Sequence, residues 1–187
     1  MAAPTPPPGL ALLLVDVQES FLRALPANGL TLARRCAFAA GAAKLLGVPA
    51  VITEHVPAKL GLTTKLVVEA AAAESRIFTK TAFSAFGAEG LGEWLREKGV
   101  THLLMAGLET PICLYLSVLD ALAADFEVTV LVDATGGRRP EDFPAIWRML
   151  ETAGARLLPS ESVFYSIIKD STHPQFREFS ALVKKFA

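Results

Sequence analysis

The chain has 187 residues, 52% of them hydrophobic and 20% charged, and a net charge of −1. That length fits one domain spanning residues 1–187 and is too short for two ordinary ones. No apolar run reaches the roughly 20 residues of a membrane-spanning helix, and acidic and basic residues are interspersed, without the basic stripe that binding to a phosphate backbone requires.

In chain order, residues 1–9 carry Pro4, Pro6, Pro7 and Pro8 and no positively charged leader, which predicts a flexible lead-in rather than a signal peptide. A first strand is predicted over Leu10–Val17, with Asp16 near its end in LLLVDVQESF, followed by a helix over Thr31–Leu46 that Gly47 stops. A second strand, Val48–Thr53, runs into Glu54 and His55. Pro57–Thr64 reads as loop and Val67–Ala73 as helical. A third strand, Arg76–Thr79, delivers Lys80, with Phe83 and Phe86 just beyond, and a helix over Ala88–Lys98 ends at Gly99. The fourth strand, Thr101–Ala106, leads through GLETPIC into a helix over Ile112–Ala124. Strands at Phe126–Val132 and Ala155–Leu158 flank a helix over Glu141–Ala153, and two helices, near Glu161–Ile168 and Pro174–Phe186, close the chain. Apolar strands alternating with helices predict an α/β fold, a doubly wound parallel sheet with helices on both faces, whose ligands bind at strand carboxyl ends where the winding reverses.

Three residues stand at such ends. Asp16 either caps the following turn or carries chemistry. Lys80, between apolar flanks, is either solvated or in need of a carboxylate partner. Cys113 is either core filler or a nucleophile. Thr110 suits a helix N-cap and Pro111 the first helical position, so Cys113 falls in a first turn, where backbone N–H groups and the helix dipole lower a thiol pKa and can form an oxyanion hole. Cys36, mid-helix among alanines, reads as core. Taken together, the three strand ends specify a mechanism in which Asp16 is general base toward the Cys113 thiol and Lys80 orients the carboxylate. Two distant cysteines give no disulfide framework, and a reducing, cytoplasmic location is expected.

The strand ending DVQ at Asp16–Gln18, the isolated Lys80 and the G-x-x-T-x-x-C element of Gly107, Thr110 and Cys113 resemble the isochorismatase-like cysteine hydrolases over nearly the whole chain. The segment TEHVPAKLG and the tail DSTHPQFREFSALVKKF are similar to the isochorismatase-domain-containing branch. The resemblance implies a six-stranded sheet of order 3-2-1-4-5-6 and an Asp16, Lys80, Cys113 triad. It also implies a cis peptide between Leu108 and Glu109, and an oxyanion hole from the N–H groups of Glu109 and Cys113. Gln18, Phe21, Glu54 and Phe83 are the expected substrate-binding residues. Nicotinamidases of this kind hold a metal through an Asp-x-His element and further histidines, whereas here His55, His102 and His173 are scattered, so neither a catalytic metal nor a cofactor is expected. His55 reads as a loop residue. The expected activity is hydrolysis of a small carbonyl substrate, an amide, through a thioester. The alternatives are a nicotinamidase and a binding or scaffold protein that retains the fold. A homo-oligomer is expected, with no nucleic-acid or membrane partner.

Overall fold

The computed structural model describes residues 7–25 and 29–186, so most of the expected lead-in lies outside the described residues. Six parallel strands form one sheet in the order β3-β2-β1-β4-β5-β6. In chain order the elements are β1 (Leu10–Val15), α1 (Glu19–Ala24), α2 (Gly29–Leu45), β2 (Ala50–His55), α3 (Pro57–Leu60), α4 (Lys65–Ala70) and β3 (Arg76–Lys80). They continue as α5 (Leu91–Glu97), β4 (His102–Leu108), α6 (Tyr115–Ala123), β5 (Glu127–Gly136), α7 (Phe143–Thr152), β6 (Arg156–Leu158), α8 (Ser160–Ile168) and α9 (Phe176–Phe186).

The alternation of β1 shows why both faces must be covered. Leu10, Leu12 and Leu14 pack into a core with α2, α8 and α9, while Ala11, Leu13 and Val15 enter a second core with α5, α6 and α7. A strand buried on both sides has no place for polar alternation, which is why it reads as a continuous apolar run. Phe38 of α2 anchors the first core against Phe164 and Phe179, with ring centroids 5.9 and 5.8 Å apart. Such aromatic pairs add about 1 kcal/mol each beyond the area they bury. Gly47, Gly99 and Gly154 all take positive φ where helices end, as their positions predict.

The structure departs from the sequence reading where chemistry gathers. Strand β1 stops at Val15 because Asp16 turns into the left-handed region at φ 52, a conformation that Asp tolerates better than most side chains. The sixth helix is preceded by a π turn, Thr110–Leu114, and the N-cap position of that turn falls on Glu109. Thr110 lies inside the turn rather than at its cap, and its hydroxyl donates to the Gly136 carbonyl at 3.0 Å. Strand β5 runs on to Gly136 instead of ending at Val132, since a register shift between Met105 and Gly107 admits extra residues and sets Gly136 beside Leu108. The segment Pro57–Thr64 contains one helical turn, α3, and α1 was not foreseen. Among the described residues no helix is long and apolar enough to cross a membrane.

Candidate active site

Strands β1 and β4 are neighbours in the sheet although β2 and β3 come between them in the chain, so the winding direction reverses there. Val15 lies level with Gly107 of β4 and with Thr53 of β2, and the residues after them meet in one place.

Asp16 is fully buried. Its Oδ1 accepts the Thr53 hydroxyl at 2.8 Å and its Oδ2 the Lys80 ammonium at 2.6 Å. Lys80, buried as well, gives its other donors to the carbonyls of Ala82 (3.1 Å) and Phe83 (2.9 Å), which occupies all three. Two charges can be held away from water only with such pairing and hydrogen bonding. Lys80 reaches its partner because it ends β3, opposite His55 at the end of β2, one strand beyond Thr53. Lys80 is thus paired rather than solvated, and the hydrogen bonds of the Asp16 side chain go to Thr53 and Lys80 rather than to the turn that follows it.

Cys113 sits in the π turn, 3% exposed, where the Asp16 carboxylate and the backbone N–H of Glu109 both act on its thiol. Its pKa is not lowered as the first-turn position predicts. Burial pushes the thiol up to about 12, the Asp16 charge adds to this, and Lys80 only partly opposes it. Desolvation of a thiolate beside a carboxylate outweighs what the turn supplies. Burial and the neighbouring carboxylate both favour the neutral thiol over a thiolate in the resting site. Cys36 is wholly buried, its thiol directed at the Ala134 carbonyl and pushed well above the ordinary range by desolvation.

The expected substrate contacts fare unequally. Gln18 is fully buried, its amide nitrogen donating to the carbonyls of His55 and Gly61 and its oxygen accepting the His55 N–H at 2.7 Å. Glu54 accepts the backbone N–H and hydroxyl of Thr63 at 2.7 and 2.8 Å. Both side chains brace the segment 55–63 by hydrogen-bonding backbone groups at His55, Gly61 and Thr63. Phe21 packs against the α2 core. Phe83 is exposed and rests its ring on His55, 5.7 Å between centroids, while its carbonyl anchors Lys80. His55 is the last residue of β2 rather than part of the loop, and its Nδ1 has no hydrogen-bond partner. His102 pairs with the Thr129 hydroxyl, and among the described residues no three His, Cys, Asp or Glu side chains gather into a ligand set for a metal.

The peptide between Leu108 and Glu109 is cis, and Gly107 before it takes φ 118. The Glu109 side chain is buried, its Oε1 paired with Arg138 Nε at 3.0 Å and its Oε2 accepting the Arg138 N–H at 3.3 Å. Sequence reasoning missed this pair, because an arginine in a GGRRPED loop carries no local sign of its partner.

Among solved structures, a Caenorhabditis elegans chain described as MAR1 ribonuclease superposes with a TM-score of 0.87 at 29% identity, covering 97% of this chain and 92% of that one. The YcaC gene product of Escherichia coli, described as an octameric hydrolase of unknown specificity, shares the fold with a TM-score of 0.82 at 19% identity, over 96% and 95% of the two chains. In sequence, bovine isochorismatase domain-containing protein 2 is 34% identical over 179 residues, 95% of this chain and 85% of its own length. The model of the isochorismatase domain matches residues 10–162, from the first residue of β1 into α8 and so across every strand that builds the site, and the chain belongs to the isochorismatase family.

Proposed function

We propose that the chain is a cysteine hydrolase that cleaves a small carbonyl substrate, an amide C–N bond, through a thioester on Cys113. The observation that carries this reading is the buried Asp16 carboxylate, held in place by Lys80 and Thr53, acting on the Cys113 thiol. As Sγ attacks the carbonyl carbon, the thiol proton passes to Asp16. The N–H groups of Glu109 and Cys113 receive the oxyanion. Asp16 returns the proton to the departing amine, leaving the thioester. Water, deprotonated by Asp16, then attacks the thioester, and the acid leaves with the thiol restored. A neutral resting thiol suits this sequence, because charge separates only when a substrate is present to accept it.

The test is ammonia release from a panel of small carboxamides that includes nicotinamide, with an RNA oligonucleotide as a separate arm because the C. elegans neighbour is described as a ribonuclease. A Cys113→Ala variant is expected to lose at least about 10³-fold in rate on any amide turned over, with an unchanged melting curve. Retention of the full rate would remove Cys113 as nucleophile. RNA cleavage without amide hydrolysis would replace the reading, and no turnover together with no acylation of Cys113 would favour a scaffold. We also infer self-association, since Ile77 on edge strand β3, Leu62 and Phe83 are exposed and an octamer is described for the E. coli neighbour. A monomer mass in light scattering would refute it.

A further inference from the structure

The residue proposed to donate an oxyanion-hole N–H carries a buried carboxylate of its own. Such a charge, within a few bonds of the place where a second negative charge develops, works against the reaction in a low-dielectric site. We infer that Arg138 is a positioning residue for this site: it neutralises the Glu109 carboxylate and locks the turn that presents the Glu109 N–H toward Cys113. The inference rests on the reading of Cys113 as an acylated nucleophile.

Three hydrogen bonds tie residues 109–110 to residues 136–138. The Thr110 hydroxyl binds the Gly136 carbonyl at 3.0 Å, the Arg138 N–H binds Glu109 Oε2 at 3.3 Å, and Arg138 Nε binds Oε1 at 3.0 Å. The packing admits no slack. A Cβ on Gly137 would lie 3.1 Å from Glu109 Oε2, 3.2 Å from Pro111 Cδ and 3.3 Å from Phe143 Cε1. The Glu109 side chain is 4% exposed and that of Arg138 59%. One partner is thus fixed in the interior while the cation that neutralises it stands at the surface, where it can be replaced without opening the core. Of the three bonds, only the one from Nε brings a positive charge, and charge-assisted hydrogen bonds of this kind are about twice as strong as neutral ones.

The test compares two reactions of Cys113. Acylation by p-nitrophenyl acetate forms the Sγ–C bond through a tetrahedral oxyanion, expels p-nitrophenolate and sends the thiol proton to Asp16. Alkylation by iodoacetamide displaces iodide at a saturated carbon and forms no oxyanion. Because the ester is uncharged, direct attraction of Arg138 for a substrate anion does not enter. Arg138→Gln is expected to slow Cys113-dependent acylation about tenfold or more and to change alkylation by less than about twofold. Arg138→Lys, which keeps a cation, and Glu109→Gln/Arg138→Gln, which removes the charge needing one, are each expected to recover most of the lost rate.

Recovery in the double variant is the result a merely structural role would not produce, since that variant has lost the same ion pair. Acylation by Arg138→Gln at the wild-type rate would overturn the inference, as would equal losses in both reactions or a double variant as slow as the single one. Absence of Cys113-dependent acylation in the wild-type protein would instead refute the nucleophile reading, and the inference with it.

Discussion

An Asp16→Asn variant is expected to lose about 10²- to 10⁴-fold in turnover while its Cys113 thiol ionises at lower pH than in the wild-type protein. The two effects run in opposite directions for a single reason. In the native site burial and the neighbouring Asp16 carboxylate raise the thiol from 9.0 to about 12, and Lys80 pulls the other way. Asparagine removes the Asp16 charge and leaves the Lys80 ammonium uncompensated, so each change favours the thiolate. Catalysis suffers nonetheless, because asparagine cannot take the proton at attack or return it to the leaving amine. The measurement is the pH dependence of iodoacetamide labelling, read by peptide mass at Cys113, with the more deeply buried Cys36 as internal reference. The midpoint is expected to fall by about one unit or more, and a midpoint that stays or rises would show that Asp16 does not hold the thiol protonated. Losing one partner of a buried ion pair also costs about 3 to 5 kcal/mol of stability. Asp16→Asn/Lys80→Met, which removes both charges, is the control that separates folding from titration.

Gly107→Ala is expected to cost about 4 kcal/mol or more, enough to unfold a marginal domain. A Cβ at this position would lie 2.0 Å from the Val15 carbonyl oxygen and 2.7 Å from the Val15 nitrogen, and the residue takes φ 118. Backbone of the central strand cannot retreat as the tip of a side chain can, since Val15 is fixed in register against both β2 and β4. Gly61→Ala supplies the contrast: φ is 77 but nothing lies within 4 Å, so only backbone strain of about 1 kcal/mol is expected. Urea denaturation of the two variants reads the difference directly. A Gly107→Ala midpoint close to wild type would mean that β1 and β4 do not approach this closely at the site.

Much of the fold was legible because its signals are local. Continuous apolar runs such as Leu10–Val15 can sit only in a sheet covered on both faces, and Gly47, Gly99 and Gly154 mark helix ends through backbone freedom alone. Asp16, Lys80 and Cys113 were legible as candidates for a related reason. Asp16 directly follows β1, Lys80 closes β3 and Cys113 lies in the turn after β4, and parallel strands place their carboxyl ends on one edge of the sheet. The short helix α1 and the π turn escaped because neither has a period long enough to register in sequence.

The sequence by itself determined the layered α/β architecture and the three residues at the reversal of winding. Which polar group meets which was decided only by the tertiary structure. Lys80 finds Asp16 across 64 residues of chain, Gln18 finds His55 across 37, and Arg138 finds Glu109 across 29. The protonation of Cys113 also belongs to the folded state: the turn alone favours a thiolate, and burial beside a carboxylate reverses that preference. Charge and hydrogen bonding depend on distance through space and on exclusion of water, and neither exists until the sheet has brought β1, β3, β4 and β5 together.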